Sequence, residues 1–168
     1  LRQSVSNNQY ITLKQELDMI RSYTSIQSIR FSGKFQCIIE VPEDLENAVI
    51  PKLILQPIVE NAIIHGLADK ASGYIYLYAV KEKNDIIISV TDDGCGMNGE
   101  TAERLSKSDS KIVEGHLGLY NVNQIIKMNY GYEYGIKAHS IIGTGTTVTV
   151  VLPLRQGDED VYGYSSCG

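Results

Sequence analysis

Between residues 55 and 67 the chain reads LQPIVENAIIHGL. At about 100° per residue, Leu55, Ile58, Val59, Ala62 and Ile63 fall on one face and Gln56, Glu60, Asn61 and His65 on the other, which predicts an amphipathic helix running to Leu67. Pro57 removes a backbone donor, so this helix either starts at Pro51 or Leu53 and bends, or opens near residue 55. Upstream, Thr12 and Glu16 with Leu13, Leu17 and Ile20 predict a capped helix to about residue 26, although the acid stands one residue late for a strict capping box. Residues 34 to 41, KFQCIIEV, read as a strand ended by Pro42. Ile75, Leu77 and Ala79 alternate with Tyr74, Tyr76 and Tyr78, and an apolar run follows, so residues 73 to 96 predict a β-hairpin turning near Asn84 and Asp85.

From 98 to 114 the pattern is polar and without sustained period, and a connection that long within one domain is usually functional or mobile. A helix over 117–130, stopped by Gly131, and strands near 133–139 and 146–152 close the chain. Strands that follow one another without a helix between them exclude a doubly wound parallel sheet. The expected class is α+β, a two-layer α/β sandwich with helices on one face. Residues 1–33 form a helical lead-in, 34–154 the core, and the Gly-, Ser- and acid-rich residues 155–168 a disordered tail.

Composition narrows the picture. The 168 residues fit one domain, and 43% hydrophobic content is enough for a core without staples. Cys37, Cys95 and Cys167 are odd in number, far apart and outside any CxxC pair, which argues against a disulfide framework or structural zinc and for a reducing, cytoplasmic setting. No apolar run approaches the roughly 18 residues of a spanning helix. A net charge of −5 with no long basic run excludes nucleic acid as a partner, so an anionic ligand has to be held by backbone dipoles or a metal.

Four spots carry chemistry, and each lies at the end of a regular element: Glu60, Asn61 and His65; DDGCG at 92–96; GHLGLYN at 115–121; and GTGT at 143–146. Singly, each reads as an ordinary polar helix face, turn or cap. Together, Gly94, Gly96, Gly115 and Gly118 let backbone approach a ligand, and a helix opening at Leu117 points N–H groups at an anion. One amide oxygen, that of Asn61, would suffice for magnesium alongside phosphate oxygens. Asp92 at a strand end offers an acceptor for an exocyclic amine.

In this order and spacing the sequence resembles the ATP-binding catalytic domain of sensor histidine kinases. That domain belongs to the GHKL superfamily, with type II topoisomerase, heat-shock-protein-90 and mismatch-repair ATPases, and the likeness is to the LytS/YesM-type subgroup. It covers residues 10–154: LILQPIVENAIIHGL resembles the N box, VTDDGCGM the G1 box, GHLGLYNV the G2 box, GTGTTVTVVLP the G3 region, and TLKQELDMIRSYTSIQSIRF the segment before the N box. The resemblance implies a Bergerat-type fold with a mixed sheet and a flexible ATP lid at about 97–114. It implies ATP and Mg²⁺ as cofactors, with Asn61 on the metal and Glu60 as a base or water-orienting group. Asp92 would read the adenine amine, Gly94, Gly96 and Met97 would line the base, and Thr146 or Thr147 would support it. Gly115, Gly118 and Leu119 would shape the phosphate turn, with His65 as a polar neighbour.

Two positions depart from the family pattern. Asp93 stands where an Asn is frequent at G1, and His116 interrupts a frequent Gly-x-Gly-x-Gly at G2. None of His65, His116 and His139 resembles the phosphoacceptor, which in this family lies on an upstream dimerisation segment resembling PHFLYN. The resemblance therefore implies transfer to a histidine outside these residues, a response regulator as downstream partner, and a dimeric membrane sensor as parent, the isolated domain being a monomer. The competing readings are an ATPase of the GHKL type, a serine-protein kinase sharing the ATP site, and a nucleotide-binding scaffold without catalysis.

Overall fold

A computed structural model describes residues 9–107 and 115–157. The later part of the expected lid, 108–114, and the tail from 158 lie outside these residues. The chain enters through a short strand β1 (Tyr10–Thr12) into helix α1 (Leu13–Arg30), whose N-terminus is closed by a reciprocal capping box between Thr12 and Gln15. Gln15 takes the role expected from an acid at this end, which leaves Glu16 for other work. Strands β2 (Phe35–Glu40) and β3 (Val49–Pro51) follow, then helix α2 (Gln56–Asn61), which widens into a π-helical turn over Ala62–Gly66. The hairpin β4 (Gly73–Glu82) and β5 (Asp85–Asp92), helices α3 (Gly99–Lys107) and α4 (Leu117–Tyr130), and strands β6 (Gly135–Ile141) and β7 (Gly145–Pro153) complete it.

The five long strands form a mixed sheet in the order β2-β4-β5-β7-β6, in which only β2 and β4 run parallel, while β1 and β3 pair apart from it. Period-2 alternation divides the sheet. Ile75, Leu77, Ile86, Ile88, Val90, Val148, Val150 and Leu152 are buried on the helix side. Tyr74, Tyr76 and Tyr78 and the hydroxyl pairs Thr91–Thr147 and Ser89–Thr149 occupy the open side. Leu13, Leu17 and Ile20 of α1 and Ile58, Val59, Ala62 and Ile63 of α2 and its π turn complete the core. The expected two-layer sandwich is the observed one.

Of two starts left open for one helix the later is observed, and two expectations are corrected. Helix α2 opens at Gln56, since Pro51 closes β3 and Leu53 has a φ of 61° that no helix accepts. Half of the expected lid is a docked helix: Ala102 and Leu105 of α3 are buried, Asn98 caps it by accepting from Thr101 N–H at 2.8 Å, and Ser106 Oγ accepts from Ala138 N–H of β6 at 2.8 Å. Arg155 and Gln156, assigned to the tail by composition, belong to the fold. Val49 N–H donates to the Arg155 carbonyl at 2.7 Å, and Gln156 bridges to Ala48.

Candidate functional site

The polar face of α2 meets the start of α4 around a cavity of about 150 Å³ lined by Pro57, Glu60, Asn61, Ile64, His65, Gly115, His116, Gly118 and Leu119. Six of the residues picked from the sequence (Glu60, Asn61, His65, Gly115, Gly118 and Leu119) thus surround one space. Widening of the helix after Asn61 lets the Leu67 N–H reach back to the Ala62 carbonyl at 3.0 Å, and such π turns recur at functional sites. Glu60 is oriented by Gln56, whose Nε2 donates to Oε1 at 3.1 Å. Asn61 Oδ1 lies 2.8 Å from His116 Nδ1, and because a carbonyl oxygen only accepts, that ring nitrogen carries the proton. Burial and then the neighbouring His65 ring, 5.0 Å away between centroids, push the His116 pKa down, which favours the neutral ring.

A second cluster lies at the C-terminal end of β5. Asp92 is 4% exposed, and its Oδ1 accepts from Gly94 N–H at 2.9 Å. Burial raises its pKa to about 6 from 3.8, against hydrogen bonds from the Gly94 and Thr146 backbone. Close packing of backbone defines this corner. A Cβ on Gly66 would lie 2.7 Å from Asp92 Oδ1, one on Gly94 2.2 Å from the Gly66 carbonyl oxygen, and one on Gly145 2.0 Å from the Asp92 carbonyl oxygen. Gly96, at φ 69°, passes as tightly over Ile141, and Met97 N–H donates to Ser140 Oγ at 2.8 Å. Thr146 joins this cluster through Ser140, whereas Thr147 pairs with Thr91 on the open side of the sheet. Of the two threonines, Thr146 is the one beside Asp92.

The two clusters meet at the end of the helix. The His65 carbonyl accepts from Cys95 Sγ at 2.9 Å and the Gly66 carbonyl from Cys95 N–H at 2.8 Å, while the His65 ring stands over Gly115. Asp93 turns away from both: its Oδ1 accepts from Tyr74 N–H at 2.8 Å and its Oδ2 lies 3.6 Å from Lys70 Nζ. His139 sits exposed on β6, opposite Thr147. Sequence reasoning missed Glu16, Gly66, Ser140 and Lys70. Glu16 had a readable signal, an acid in the buried stripe with Leu13, Leu17 and Ile20; the others are legible only once β5 and β7 are paired.

A helix start thus faces an acid–amide pair on one side, and a buried aspartate is ringed by glycines on the other. The profile of the histidine kinase-, DNA gyrase B-, and HSP90-like ATPase family matches residues 46–156, and the chain belongs to that family. A histidine kinase profile also matches residues 1–35. Among named relatives, the sensor histidine kinase YesM of Bacillus subtilis (strain 168) is 32% identical over 146 residues, 86% of this chain and 24% of YesM. The sensor protein kinase HptS of Staphylococcus aureus (strain USA300) is 32% identical over 164 residues, 96% of this chain and 32% of HptS. The chain thus spans no more than about a third of these two proteins. In fold it is similar to the catalytic domain of histidine kinase ThkA, with a TM-score of 0.68 at 16% identity over 88% of this chain and 97% of that one. It is also similar to the histidine kinase domain of a blue-light-activated kinase of Erythrobacter litoralis, with a TM-score of 0.61 at 21% identity over 86% and 62%.

Proposed function

We propose that this chain binds Mg-ATP and delivers its γ-phosphate to a histidine on an upstream dimerisation segment, as the catalytic half of a sensor kinase that serves a response regulator. The observation that carries the reading is the joining of two clusters by one helix end. Asp92, with Gly94 and Thr146, would offer an acceptor for the adenine amine at one end, and Glu60, Asn61 and the α4 N-terminus would face the phosphates at the other. The names of the sensor kinases it is similar to support the same reading.

The donor set fits magnesium. Among the described residues no three His, Cys, Asp or Glu side chains gather as a metal cage, and a single amide oxygen beside phosphates is what a hard, water-keeping cation requires. When bound, the metal supplies charge neutralisation between the phosphates. Asn61 Oδ1 would hold it through its second lone pair, the first accepting from His116 Nδ1. Glu60, oriented by Gln56, would take a proton from the attacking group. Chemistry of this kind asks a protein chiefly for positioning, so no nucleophile triad is needed.

Calorimetric titration with ATP and GTP, each with and without Mg²⁺, tests the site. Adenine-selective binding strengthened by magnesium is expected, and Asn61→Ala should abolish the magnesium effect while leaving selectivity. Absence of nucleotide binding, or equal affinity for ATP and GTP, would sink the reading.

A further inference from the structure

The first turn of α2 has no cap from its own neighbours. Leu55 precedes it and offers no side-chain acceptor, although a helix start leaves N–H groups unmatched. Their destinations are all accounted for. Pro57 has no N–H, and Ile58 donates to the Leu55 carbonyl at 3.0 Å. Leu55 and Gln56 donate to one oxygen, Oε1 of Glu16, at 2.7 and 3.2 Å.

Glu16 belongs to another helix and is wholly buried, in the apolar stripe of α1 between Leu13 and Leu17. Burial raises its pKa to about 7 against the pull of the N–H groups, and Oε2 has no hydrogen-bond partner among the described residues. A leucine or methionine would fill that stripe without the penalty of a buried carboxyl, so the contribution of this side chain lies in what it holds. The connection continues through Gln56, whose backbone is bound to Glu16 and whose side chain donates to Glu60. Tyr23, further along α1, is also near: burial and then the Glu60 carboxylate raise its phenol pKa.

We infer that Glu16 is a positioning residue, fixing the start of α2 to α1 and, through Gln56, setting where Glu60 and Asn61 stand. The inference rests on the reading of that pair as the phosphate-side residues of the nucleotide site. It gives α1 a role although none of its residues lines the cavity. A displacement of α1 relative to the sheet would then move Glu60 and Asn61 through these hydrogen bonds.

The test compares wild type with Glu16→Gln and Glu16→Leu. Amide resonances of Leu55 and Gln56 and the side-chain resonance of Asn61 are recorded before nucleotide is added, and Mg-ATP is then titrated. Glu16→Gln keeps the accepting oxygen and is expected to preserve the Asn61 resonance and the affinity within about threefold. Glu16→Leu strands two N–H groups; it should shift the Asn61 resonance and weaken Mg-ATP by about tenfold or more. A Glu16→Leu protein that melts earlier but keeps the wild-type Asn61 resonance overturns the inference, since that is the signature of a merely structural group. Should Glu16→Leu fail to fold, Gln56→Ala cuts the second leg with Glu16 in place; an unmoved Glu60 carboxylate resonance there overturns it equally. Wild type that binds no nucleotide would refute the proposed function, and the resonances would still decide for or against Glu16.

Discussion

The proposed role puts two demands on Asp92, and they pull against each other. Recognition of an exocyclic amine favours a charged, accepting carboxylate, while burial favours a protonated one and sets the pKa near 6, with Asp93 pushing the same way and Lys70 opposing. Because the folded state holds this proton more tightly than the unfolded chain, the associated stability is fully present below about pH 4 and is lost as pH rises to about 6. Asp92→Asn removes that loss and keeps the acceptor for Gly94 N–H. Urea denaturation at pH 4.5 and 7.5 should show the variant gaining on wild type, by at most about 3 kcal/mol across the window. Affinity should move the other way, with ATP losing about tenfold more than GTP, because an amide can turn a donor to the guanine oxygen. Equal losses for both nucleotides, or a stability difference that ignores pH, would contradict the role. Asp92 itself was readable in the sequence as an acid at a strand end. Its neighbour Asp93 was not, since only the paired sheet shows it spent on Tyr74 and Lys70.

Elements with a broad apolar stripe were legible and those with a narrow one were not. The pattern of Leu55, Ile58, Val59, Ala62 and Ile63 predicts α2 correctly on both faces, and α4 spans the predicted residues. Helix α3 buries only Ala102 and Leu105 and is held otherwise by Ser106 and by Asn123, whose Nδ2 donates to the Leu105 carbonyl at 3.0 Å, so its nine mostly polar residues carry too few apolar positions to stand out in the chain. The glycine-rich turns were legible as turns, but which glycine is indispensable depends on the backbone across from it. Gly94 and Gly99 make the contrast. A Cβ on Gly94 meets three backbone atoms of Gly66 within 2.5 Å, whereas one on Gly99, at the head of α3, meets nothing within 4 Å. Gly94→Ala should therefore cost about 1–3 kcal/mol in urea denaturation and abolish nucleotide binding. Gly99→Ala should be neutral or stabilising by up to about 1 kcal/mol, with binding intact. A stable, binding-competent Gly94→Ala protein would mean that the corner between the helix end and β5 yields more easily than its packing implies.

At the scale of the molecule, adjacency of the hairpin strands follows from sequence, but the parallel pairing of β2 with β4 does not, because β3 and α2 intervene between them. That pairing completes a sheet whose helix side carries the site and whose other side carries hydroxyls and tyrosines, and it places the histidines for good. His139 is exposed on the open side, on the face that alternates away from Ala138 and Ser140. His116 has its protonated nitrogen on Asn61, and His65 rides on the helix that forms the floor of the cavity. In-line transfer needs an attacking nitrogen about 3–3.5 Å from phosphorus on the side opposite the leaving group, which His139 on the far face of the sheet does not offer, while His116 Nδ1 is held by Asn61. Incubated with Mg-ATP, the chain should retain nucleotide without acquiring acid-labile phosphate on His65, His116 or His139, as read by mass spectrometry at alkaline pH. Addition of a separate segment carrying an upstream acceptor histidine should bring phosphate onto that segment, and Glu60→Gln should slow the transfer by about 10²-fold or more with little change in ATP affinity. Label on any of the three internal histidines would show that the domain phosphorylates itself, and an unaltered rate in Glu60→Gln would remove the acid from the transfer step.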